Sequence, residues 1–219
     1  MVAAGKSKRL KSRVPKPFLQ IDRNRTMLDM CLESFRKVPG LAHTVIVTQK
    51  GLLERAAQAL CRCQLTGSVT EGGPEREDSV FNGLETLPPK VKYVLIHDAA
   101  RPLVDPALIR RVLKEVFRSG AAIPVVPVKD TLKVIGHGRV LWTLDRSRVG
   151  AVQTPQGFKL SNLRTAFLKL GPRASRLTDD AAIAELAGMK VRVVDGNPLN
   201  LKVTTPEDLR HVRHLVAHD

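Results

Sequence analysis

Short runs of aliphatic and β-branched residues alternate with segments of helical periodicity, and this alternation constrains the fold more than any other feature. The runs lie at residues 43–48, 92–97, 121–128 and 190–194. Near-continuous apolar runs of this kind are typical of strands that are covered on both faces. The alternation therefore predicts an α/β fold with a mostly parallel, Rossmann-like sheet flanked by helices.

Turn and capping residues mark the helices expected between these strands. Thr26, Asp105 and Thr205 open three amphipathic segments, and Gly120 closes the second of them. Residues 78–87 form a further expected helix, which the chain enters from a pair of glycines. In a sheet of this kind ligands bind beyond the carboxyl ends of the strands, so the loops there are the candidate site.

Residues 130–152 interrupt the alternation, because they contain two extended runs and no helical periodicity. The runs flank a Gly-His-Gly turn, which predicts a β-hairpin that projects from the main sheet. Leu141, Trp142 and Leu144 would be exposed on such a hairpin and would need a partner surface. We therefore expect residues 1–219 to form a single domain, with a dimerisation arm at about residues 130–152 that makes the protein a homodimer.

The composition narrows the classes of partner. The formal net charge is +15, which attracts anions such as nucleic acids or phosphorylated metabolites. One Trp, one Tyr and six Phe are too few aromatic residues for the base-stacking surfaces of a single-strand binder. No apolar run approaches the roughly 20 residues needed to span a bilayer. We therefore expect a phosphorylated small molecule as the partner, and neither nucleic acid nor a membrane.

The cysteines and the start of the chain bear on the cellular compartment. Cys31, Cys61 and Cys63 show neither a disulfide framework nor the spacing of a zinc site, which favours a reducing compartment. The first residues lack the apolar segment of a secretory signal, because charge begins at Lys6. A cytoplasmic location is therefore expected.

A basic loop follows the first apolar residues, Val2-Ala3-Ala4-Gly5. Residues 5–16 contain six Lys and Arg side chains. A loop with glycine, serine and cations at the carboxyl end of a strand is suited to binding phosphates. Its spacing is not that of a P-loop, so this pattern alone leaves a solvated basic turn as the alternative.

Six motifs occur in one order over nearly the whole chain. They are Ala-Ala-Gly-x-x-x-Arg-Leu with Pro-Lys-Pro-Phe-Leu (3–19), Glu-Gly-Gly-x-x-Arg-x-Asp-Ser-Val (71–80), His-Asp-Ala-Ala-Arg-Pro (97–102), Gln-Thr-Pro-Gln-Gly-Phe (153–158), Leu-Thr-Asp-Asp-Ala (177–181) and Lys-Val-Thr-Thr-Pro-Glu-Asp-Leu (202–209). Together they resemble the 2-C-methyl-D-erythritol 4-phosphate cytidylyltransferases of the non-mevalonate isoprenoid pathway. The ribitol-5-phosphate cytidylyltransferases share most of these motifs and remain the alternative.

The resemblance implies a nucleotidyltransferase that transfers CMP from CTP to methylerythritol phosphate, a phosphorylated sugar alcohol, and releases pyrophosphate. The attacking phosphate is already anionic, so no general base is required, and catalysis depends on alignment and on charge stabilisation. The family pattern assigns the stabilising charges to Arg9, Lys16 and Lys202. It assigns the cofactor, Mg²⁺, to Asp98.

The resemblance also implies a set of residues that bind CTP. These are Ala3, Ala4, Gly5, Gly72, Gly73 and Ser79. The glycine pair and Ser79 would form the cytosine pocket, where backbone and hydroxyl groups contact the base edge. Ser79 could instead cap a helix.

A second implied set would bind the phosphate of the acceptor. Its members are Arg101, Arg146, Thr154 and Thr178. Arg101 could instead order the site. Arg146 lies on the expected hairpin and would reach into the active site of the neighbouring subunit, so the dimer would be required for activity.

Three departures from the family pattern qualify the resemblance. The first strand is short, since only Met1–Ala4 precede the basic loop, and Ser7 stands where a second glycine is often found. Pro74 follows the glycine pair and lacks an N–H that could have contacted the base. These departures leave open a catalytically inactive relative. The net charge of +15 and the basic N-terminal stretch leave open a second hypothesis, a basic nucleic-acid-binding protein.

Overall fold

A computed structural model describes residues 1–5, 8–10, 12, 14–171, 174, 177 and 179–218. The strands are β1 (Thr44–Thr48), β2 (Gly67–Glu71), β3 (Tyr93–Ile96), β4 (Ala121–Pro127), β5 (Lys133–Gly136), β6 (Arg139–Thr143), β7 (Gly150–Val152), β8 (Gln156–Lys159) and β9 (Arg192–Asp195). The α-helices are α1 (Met27–Arg36), α2 (Leu53–Arg62), α3 (Arg76–Glu85), α4 (Pro106–Ser119), α5 (Leu160–Leu170), α6 (Asp180–Leu186) and α7 (Pro206–Ala217).

The described strands form two main sheets and a separate hairpin, and most strands of the main sheets run in the same direction. β1 pairs with β2 in parallel, and β4 pairs in parallel with β9. β8 lies antiparallel between β3 and β4, so those two strands run in the same direction, and β7 pairs antiparallel with β4. The predicted α/β fold with a mostly parallel sheet is confirmed.

The first residues of the chain join the two sheets at their centre. Val2 makes parallel bridges to Val47 of β1 and to Asp98, which follows β3. The Val2 N–H donates to the His97 carbonyl at 2.8 Å, and the Ala3 N–H donates to the Val47 carbonyl at 2.7 Å. The short predicted first strand is therefore held on both sides. This places the basic loop at the carboxyl end of a central strand, beside Asp98.

Three helices begin at the residues that the sequence predicts. Thr26 and Thr205 each form a capping box with an aspartate three residues later, at the starts of α1 and α7. Asp105 accepts a hydrogen bond from the Leu108 N–H at 2.7 Å and caps α4. Gly120 ends α4 with a φ of 85°, the left-handed conformation that favours glycine.

The segment between β4 and β7 forms the predicted hairpin. β5 and β6 pair only with each other among the described strands, through a turn in which His137 and Gly138 have φ values of 48° and 73°. Ile135 and Trp142 are 73% and 55% exposed. The predicted end of the arm is wrong, because Gly150–Val152 returns to the main sheet and pairs with β4.

The helices bury apolar side chains against the sheets in clusters. One cluster packs α3, α5 and α6 against β3 and β8, and its largest fully buried members are Leu163, Ile183 and Phe158. A second packs α1 and α2 against β1 through Leu28, Leu32 and Ile46. In the part of the chain that the structure describes, no helix is long and apolar enough to cross a membrane.

Candidate active site

A cleft of about 480 Å³ opens at the carboxyl ends of three parallel segments. Its walls are the residues after the first segment, after β2 and after β3, together with the segment before α7. The predicted site residues that line it are Ala3, Ala4, Gly5, Arg9, Lys16, Gly73, Ser79, Asp98 and Lys202. The fold therefore brings the predicted triphosphate, cytosine and metal residues to one cleft.

Asp98 lies at the base of this cleft between two cations. Its Oδ2 accepts from the Lys202 ammonium at 2.7 Å, and its Oδ1 accepts from Nε and Nη2 of Arg76, each at 3.3 Å. Burial alone would raise the pKa of the carboxyl, but Arg76 and Lys202 outweigh burial and hold the pKa of Asp98 well below its usual range. Asp98 is therefore ionised at neutral pH.

Arg76 is also paired with a second aspartate, Asp180. Nη1 and Nη2 of Arg76 donate to Oδ1 and Oδ2 of Asp180 at 3.2 and 2.8 Å, a bidentate pair. Burial disfavours charge on Arg76, but Asp180 and Asp98 outweigh it and raise the pKa of the guanidinium. Burial raises the pKa of Asp180, and Arg76 opposes that rise. The structure thus links both carboxylates through one guanidinium.

Arg76 and Asp180 are functional candidates that sequence reasoning missed, although both lie within the motifs that carry the resemblance. The second aspartate of the Leu-Thr-Asp-Asp-Ala motif could have indicated a role for Asp180, because one aspartate is enough to cap a helix. Asp179 supplies the cap of α6 by accepting from the Ala182 N–H at 2.9 Å. The sequence could not predict that Arg76 pairs with Asp180, because the two residues are 104 positions apart in the chain.

Lys16 and Arg9 line the cleft beside Lys202. Burial disfavours the charged amine of Lys16, and the neighbouring Lys202 repels it, so the pKa of Lys16 is lowered to about 8. Asp98 acts in the opposite direction but does not compensate. The partly buried ammonium of Lys16 would be stabilised by an anionic ligand in this cleft, which would offset both the burial and the repulsion from Lys202.

The glycine pair approaches its neighbours too closely for any side chain. A Cβ on Gly72 would lie 2.5 Å from the Cβ of Ala4, and a Cβ on Gly73 would lie 2.3 Å from the Cβ of Asp78. The Gly73 N–H donates to the Ser79 hydroxyl at 3.1 Å, and that hydroxyl donates to the Glu75 carbonyl at 3.0 Å. Through these two hydrogen bonds Ser79 fixes the glycine loop, residues 72–75, at the cleft.

The alternative in which Ser79 caps a helix is wrong. α3 begins at Arg76 rather than at residue 78, and its N-cap is Glu75, which forms a capping box with Asp78. Ser79 lies inside the first turns of the helix and is only 2% exposed. Pro74 lines the cleft between the glycine pair and this cap.

His97 and Thr154 form a buried chain of hydrogen bonds behind Asp98. The Asp98 N–H donates to the Thr154 hydroxyl at 3.1 Å, and this hydroxyl lies 3.0 Å from Nδ1 of His97. Nε2 of His97 lies 3.2 Å from the Arg101 carbonyl. Because a carbonyl only accepts, Nε2 carries the proton and the Thr154 hydroxyl donates to Nδ1. Burial lowers the pKa of His97 to about 3, so the ring is neutral.

This network bears on one predicted substrate contact. The hydroxyl of Thr154 is buried, and its proton is already donated to His97. In this structure Thr154 therefore orients the backbone of Asp98. Its contact with the acceptor stays a prediction.

Two other predicted acceptor residues, Arg101 and Arg146, are not among the residues that line the cleft. Arg101 donates to the carbonyls of Asn200 at 2.8 Å and Val152 at 3.3 Å, so it ties the segment before Lys202 to β7. Arg146 is exposed at the base of the arm and donates to the Lys129 carbonyl. Thr178 lies outside the described residues, as do Ser7 and several cations of the basic loop.

Comparisons with known proteins place this cleft in a family. A family model for 2-C-methyl-D-erythritol 4-phosphate cytidylyltransferase (IspD) matches residues 1–217. The enzyme of that name from Bacillus cereus is 40% identical over 209 residues, which cover 94% of this chain and 92% of that protein. The enzyme of the same name from Geobacillus kaustophilus is 36% identical over 219 residues, covering 99% and 95%.

A longer relative and two solved structures are also similar. The bifunctional enzyme IspD/IspF of Solidesulfovibrio magneticus is 40% identical, and the chain spans 56% of its length. The structure of 4-diphosphocytidyl-2C-methyl-D-erythritol synthase from Anaerococcus prevotii superposes with a TM-score of 0.88 at 27% identity, over 99% of this chain and 93% of that one. The 2-C-methyl-D-erythritol 4-phosphate cytidylyltransferase of Thermus thermophilus gives 0.79 at 32% identity, over 99% and 96%.

The family model thus spans almost the entire sequence, including every segment that lines the cleft. The chain belongs to the 2-C-methyl-D-erythritol 4-phosphate cytidylyltransferase family.

Proposed function

We propose that this cleft is where the chain carries out its family's reaction, the transfer of CMP from CTP to 2-C-methyl-D-erythritol 4-phosphate with release of pyrophosphate. The observation that carries the proposal is the ionised Asp98 among the cations of a cleft at the carboxyl ends of parallel strands. The matched family and the relatives named above favour this acceptor over ribitol 5-phosphate.

The cleft residues are suited to aligning two anionic reactants. A phosphate oxygen of the acceptor forms a bond to the α-phosphorus of CTP, while the bond from that phosphorus to the β-phosphate oxygen breaks. The attacking oxygen needs no proton removed, so the chain has to supply orientation and positive charge. Arg9, Lys16 and Lys202 supply that charge along the triphosphate and at the α-phosphate.

The donor set at Asp98 fits a magnesium ion. Mg²⁺ is commonly bound through one or two carboxylates together with the phosphates of a substrate. Asp98 offers one ionised carboxylate on the cleft wall, and the described residues include no group of three His, Cys, Asp or Glu side chains that could hold a metal. When bound, the ion would neutralise negative charge on the triphosphate.

The glycine loop is the proposed cytosine pocket. Gly73 and Ser79 line the cleft together with Ala4 and Gly5, and a Cβ on Gly72 would lie only 2.5 Å from the Cβ of Ala4. Pro74 has no N–H, so a base edge here would contact other backbone groups of the loop. Preference for CTP over ATP, GTP and UTP in a binding titration would support this pocket, and equal affinities would refute it.

The acceptor phosphate is proposed to lie near Arg101, Thr154 and Thr178, with Arg146 supplied by the neighbouring subunit. For Arg101 the two carbonyl contacts favour the ordering role, because Nη1 and Nη2 each donate to a backbone carbonyl. The cross-subunit role of Arg146 is supported by its exposed position beside the arm. Among the described residues its side chain donates only to the Lys129 carbonyl.

The arm is the proposed dimer contact. Its exposed apolar side chains include Ile135, Leu141 and Trp142, which a second copy of the chain would cover. Mixing two variants tests both the dimer and the role of Arg146. Arg146→Ala and Asp98→Asn would each be impaired alone. If Arg146 acts on the neighbouring subunit, each mixed dimer would contain one intact site, built from the unchanged Asp98 of one subunit and the unchanged Arg146 of the other. Random exchange makes about half of the dimers mixed, so about a quarter of all sites should regain activity. No recovery after confirmed subunit exchange would refute the assignment.

A cytoplasmic location is proposed on the state of the cysteines. Cys31 and Cys63 are buried, Cys61 is exposed, and all three are free thiols. Free thiols persist in reducing compartments. Recovery of the tagged chain in the membrane or secreted fraction of cells would contradict this location.

The experiment that tests the function is pyrophosphate release with CTP and Mg²⁺, run in parallel with methylerythritol 4-phosphate and ribitol 5-phosphate. Release with methylerythritol 4-phosphate alone would support the proposal, and release with ribitol 5-phosphate alone would replace the acceptor. Silence with both acceptors, from a folded protein that binds CTP, would favour the inactive relative. A failure to select CTP, together with steeply salt-dependent binding of nucleic acid, would favour the nucleic-acid hypothesis.

A further inference from the structure

We propose that Arg76 is a positioning residue, anchored by the buried Asp180, which holds the Asp98 carboxylate in the orientation that the reaction uses. The inference rests on the proposed function, because that function gives Asp98 its role. It concerns a pair of residues to which the family resemblance assigned nothing.

The two oxygens of Asp98 are held by different cations. Oδ1 accepts from Nε and Nη2 of Arg76, and Oδ2 accepts from Lys202. With a donor on each oxygen, the carboxylate cannot rotate about its Cβ–Cγ bond without losing a charged hydrogen bond. Its backbone is fixed as well, because the Asp98 N–H donates to Thr154. Arg76 and Lys202 together therefore set the plane of the carboxylate.

The two cations differ in how firmly they are held. The side chain of Lys202 is 44% exposed, and among the described residues its one ion-pair partner is Asp98. The side chain of Arg76 is 23% exposed. Besides its contact with Asp98, it forms a bidentate ion pair with Asp180, whose side chain is 0% exposed. A lysine with one partner can move to a phosphate when substrate enters. A guanidinium with a buried bidentate partner stays in place and keeps Oδ1 oriented.

Asp180 is itself fixed from the sheet. Gln156 of β8 donates through Nε2 to Asp179 at 2.8 Å, and its Oε1 accepts from the Ala181 N–H at 3.0 Å. The residues on either side of Asp180 are thus bonded to one buried side chain, which is 1% exposed. Asp180 is an immobile anchor at the start of α6, and it transmits that position through Arg76 to Asp98.

A structural role for Arg76 has to be separated from a positioning role. Removing Arg76 alone leaves the charge of Asp180 buried and unpaired, which by itself destabilises a protein strongly. Loss of activity in Arg76→Gln would therefore be uninformative without a second variant. The double variant Arg76→Gln with Asp180→Asn removes both charges, and its two amides can still hydrogen-bond to each other.

The test measures melting temperature and steady-state kinetics of the wild type, Arg76→Gln, the double variant and Arg76→Lys. We expect Arg76→Gln to melt at lower temperature and the double variant to recover most of that loss. The kcat of the double variant should stay about 100-fold below that of the wild type, because Asp98 Oδ1 has lost its fixed donor. Arg76→Lys should regain part of kcat, since one ammonium replaces some of the donors.

Arg62 provides a matched control. Its guanidinium also pairs with a buried carboxylate, Asp29, at 2.8 Å, and it lies outside the cleft lining. Arg62→Gln should lower the melting temperature and leave kcat unchanged. A double variant that regains kcat together with stability would overturn the proposal, because Arg76 would then only neutralise Asp180. A wild-type chain inactive with both acceptors would refute the proposed function itself, and this inference with it.

Discussion

Raising the pH should remove the positive charge of Lys16 in a range where ordinary lysines stay protonated. Lys16 lines the cleft, and burial followed by repulsion from Lys202 lowers its pKa from 10.5 to about 8. A base with a lowered pKa is charged below that value and neutral above it. The free enzyme therefore loses this phosphate-binding charge as the pH rises through about 8.

The size of the effect follows from that pKa. Lys16 would be about 90% charged at about pH 7 and about 10% charged at about pH 9, whereas a lysine at its usual pKa would remain more than about 95% charged. If only the charged form binds the triphosphate productively, kcat/KM for CTP should fall about tenfold over this range. Bound phosphates raise the pKa of the amine again, so kcat itself should change much less.

Initial rates of pyrophosphate release at low CTP and saturating acceptor measure this alkaline limb of the pH profile, the fall in kcat/KM as the pH rises. The second pKa of a phosphate group is about 6, so the substrates are almost fully ionised by about pH 7.5 and keep a nearly constant charge over the alkaline range. Lys16→Arg is the control, because a guanidinium stays charged throughout and should remove the limb even if it lowers the absolute rate. A wild-type profile flat to about pH 9.5, or a limb unchanged in Lys16→Arg, would refute the reasoning.

Three further perturbations test other parts of the cleft. Asp98→Asn should lower kcat by roughly 100- to 1000-fold in a chain that still folds, because Asn keeps the size and loses the charge, and it should also lower the melting temperature, because Arg76 and Lys202 lose a buried anionic partner; normal turnover would show that the charge is dispensable for the reaction. Arg146→Ala should raise KM for the acceptor about tenfold or more and leave KM for CTP unchanged; a change confined to CTP would contradict the cross-subunit contact. Gly73→Ala should weaken CTP binding in a calorimetric titration, since the new Cβ would lie 2.3 Å from that of Asp78, whereas Gly51→Ala, with nothing within 4 Å, should bind CTP normally.

Local sequence signals predicted the parts of the fold that local physics determines. β1 and β4 are apolar runs, and Thr26 and Asp105 cap helices through contacts within three residues. β2 was not predicted, since its residues Gly-Ser-Val-Thr-Glu are half-buried at most and pair only with β1. Its strand conformation comes from the neighbouring strand and not from its own composition.

The same distinction applies to the site. Residues that directly follow strands, such as Gly5 and Asp98, could be placed from the sequence, because carboxyl ends of parallel strands meet at one edge. The pairing of Arg76 with Asp180 could not, since it depends on where α6 packs. The role of the Thr154 hydroxyl had the same limit, because its hydrogen bond to His97 spans 57 residues.

Local charge balance explains how a chain of net charge +15 holds several cations within one cleft. Asp98 and Asp180 neutralise Lys202 and Arg76. Among the described residues, Arg9 and Lys16 are then the cleft cations that form no ion pair with a carboxylate. An entering triphosphate can therefore take Lys202 from Asp98, since the lysine exchanges one anionic partner for another. Arg76 cannot change partner in the same way, because moving away from Asp180 would leave the buried carboxylate of Asp180 without a counter-charge. The cleft thus contains one cation that can follow the substrate and one that keeps the aspartate fixed while it does so.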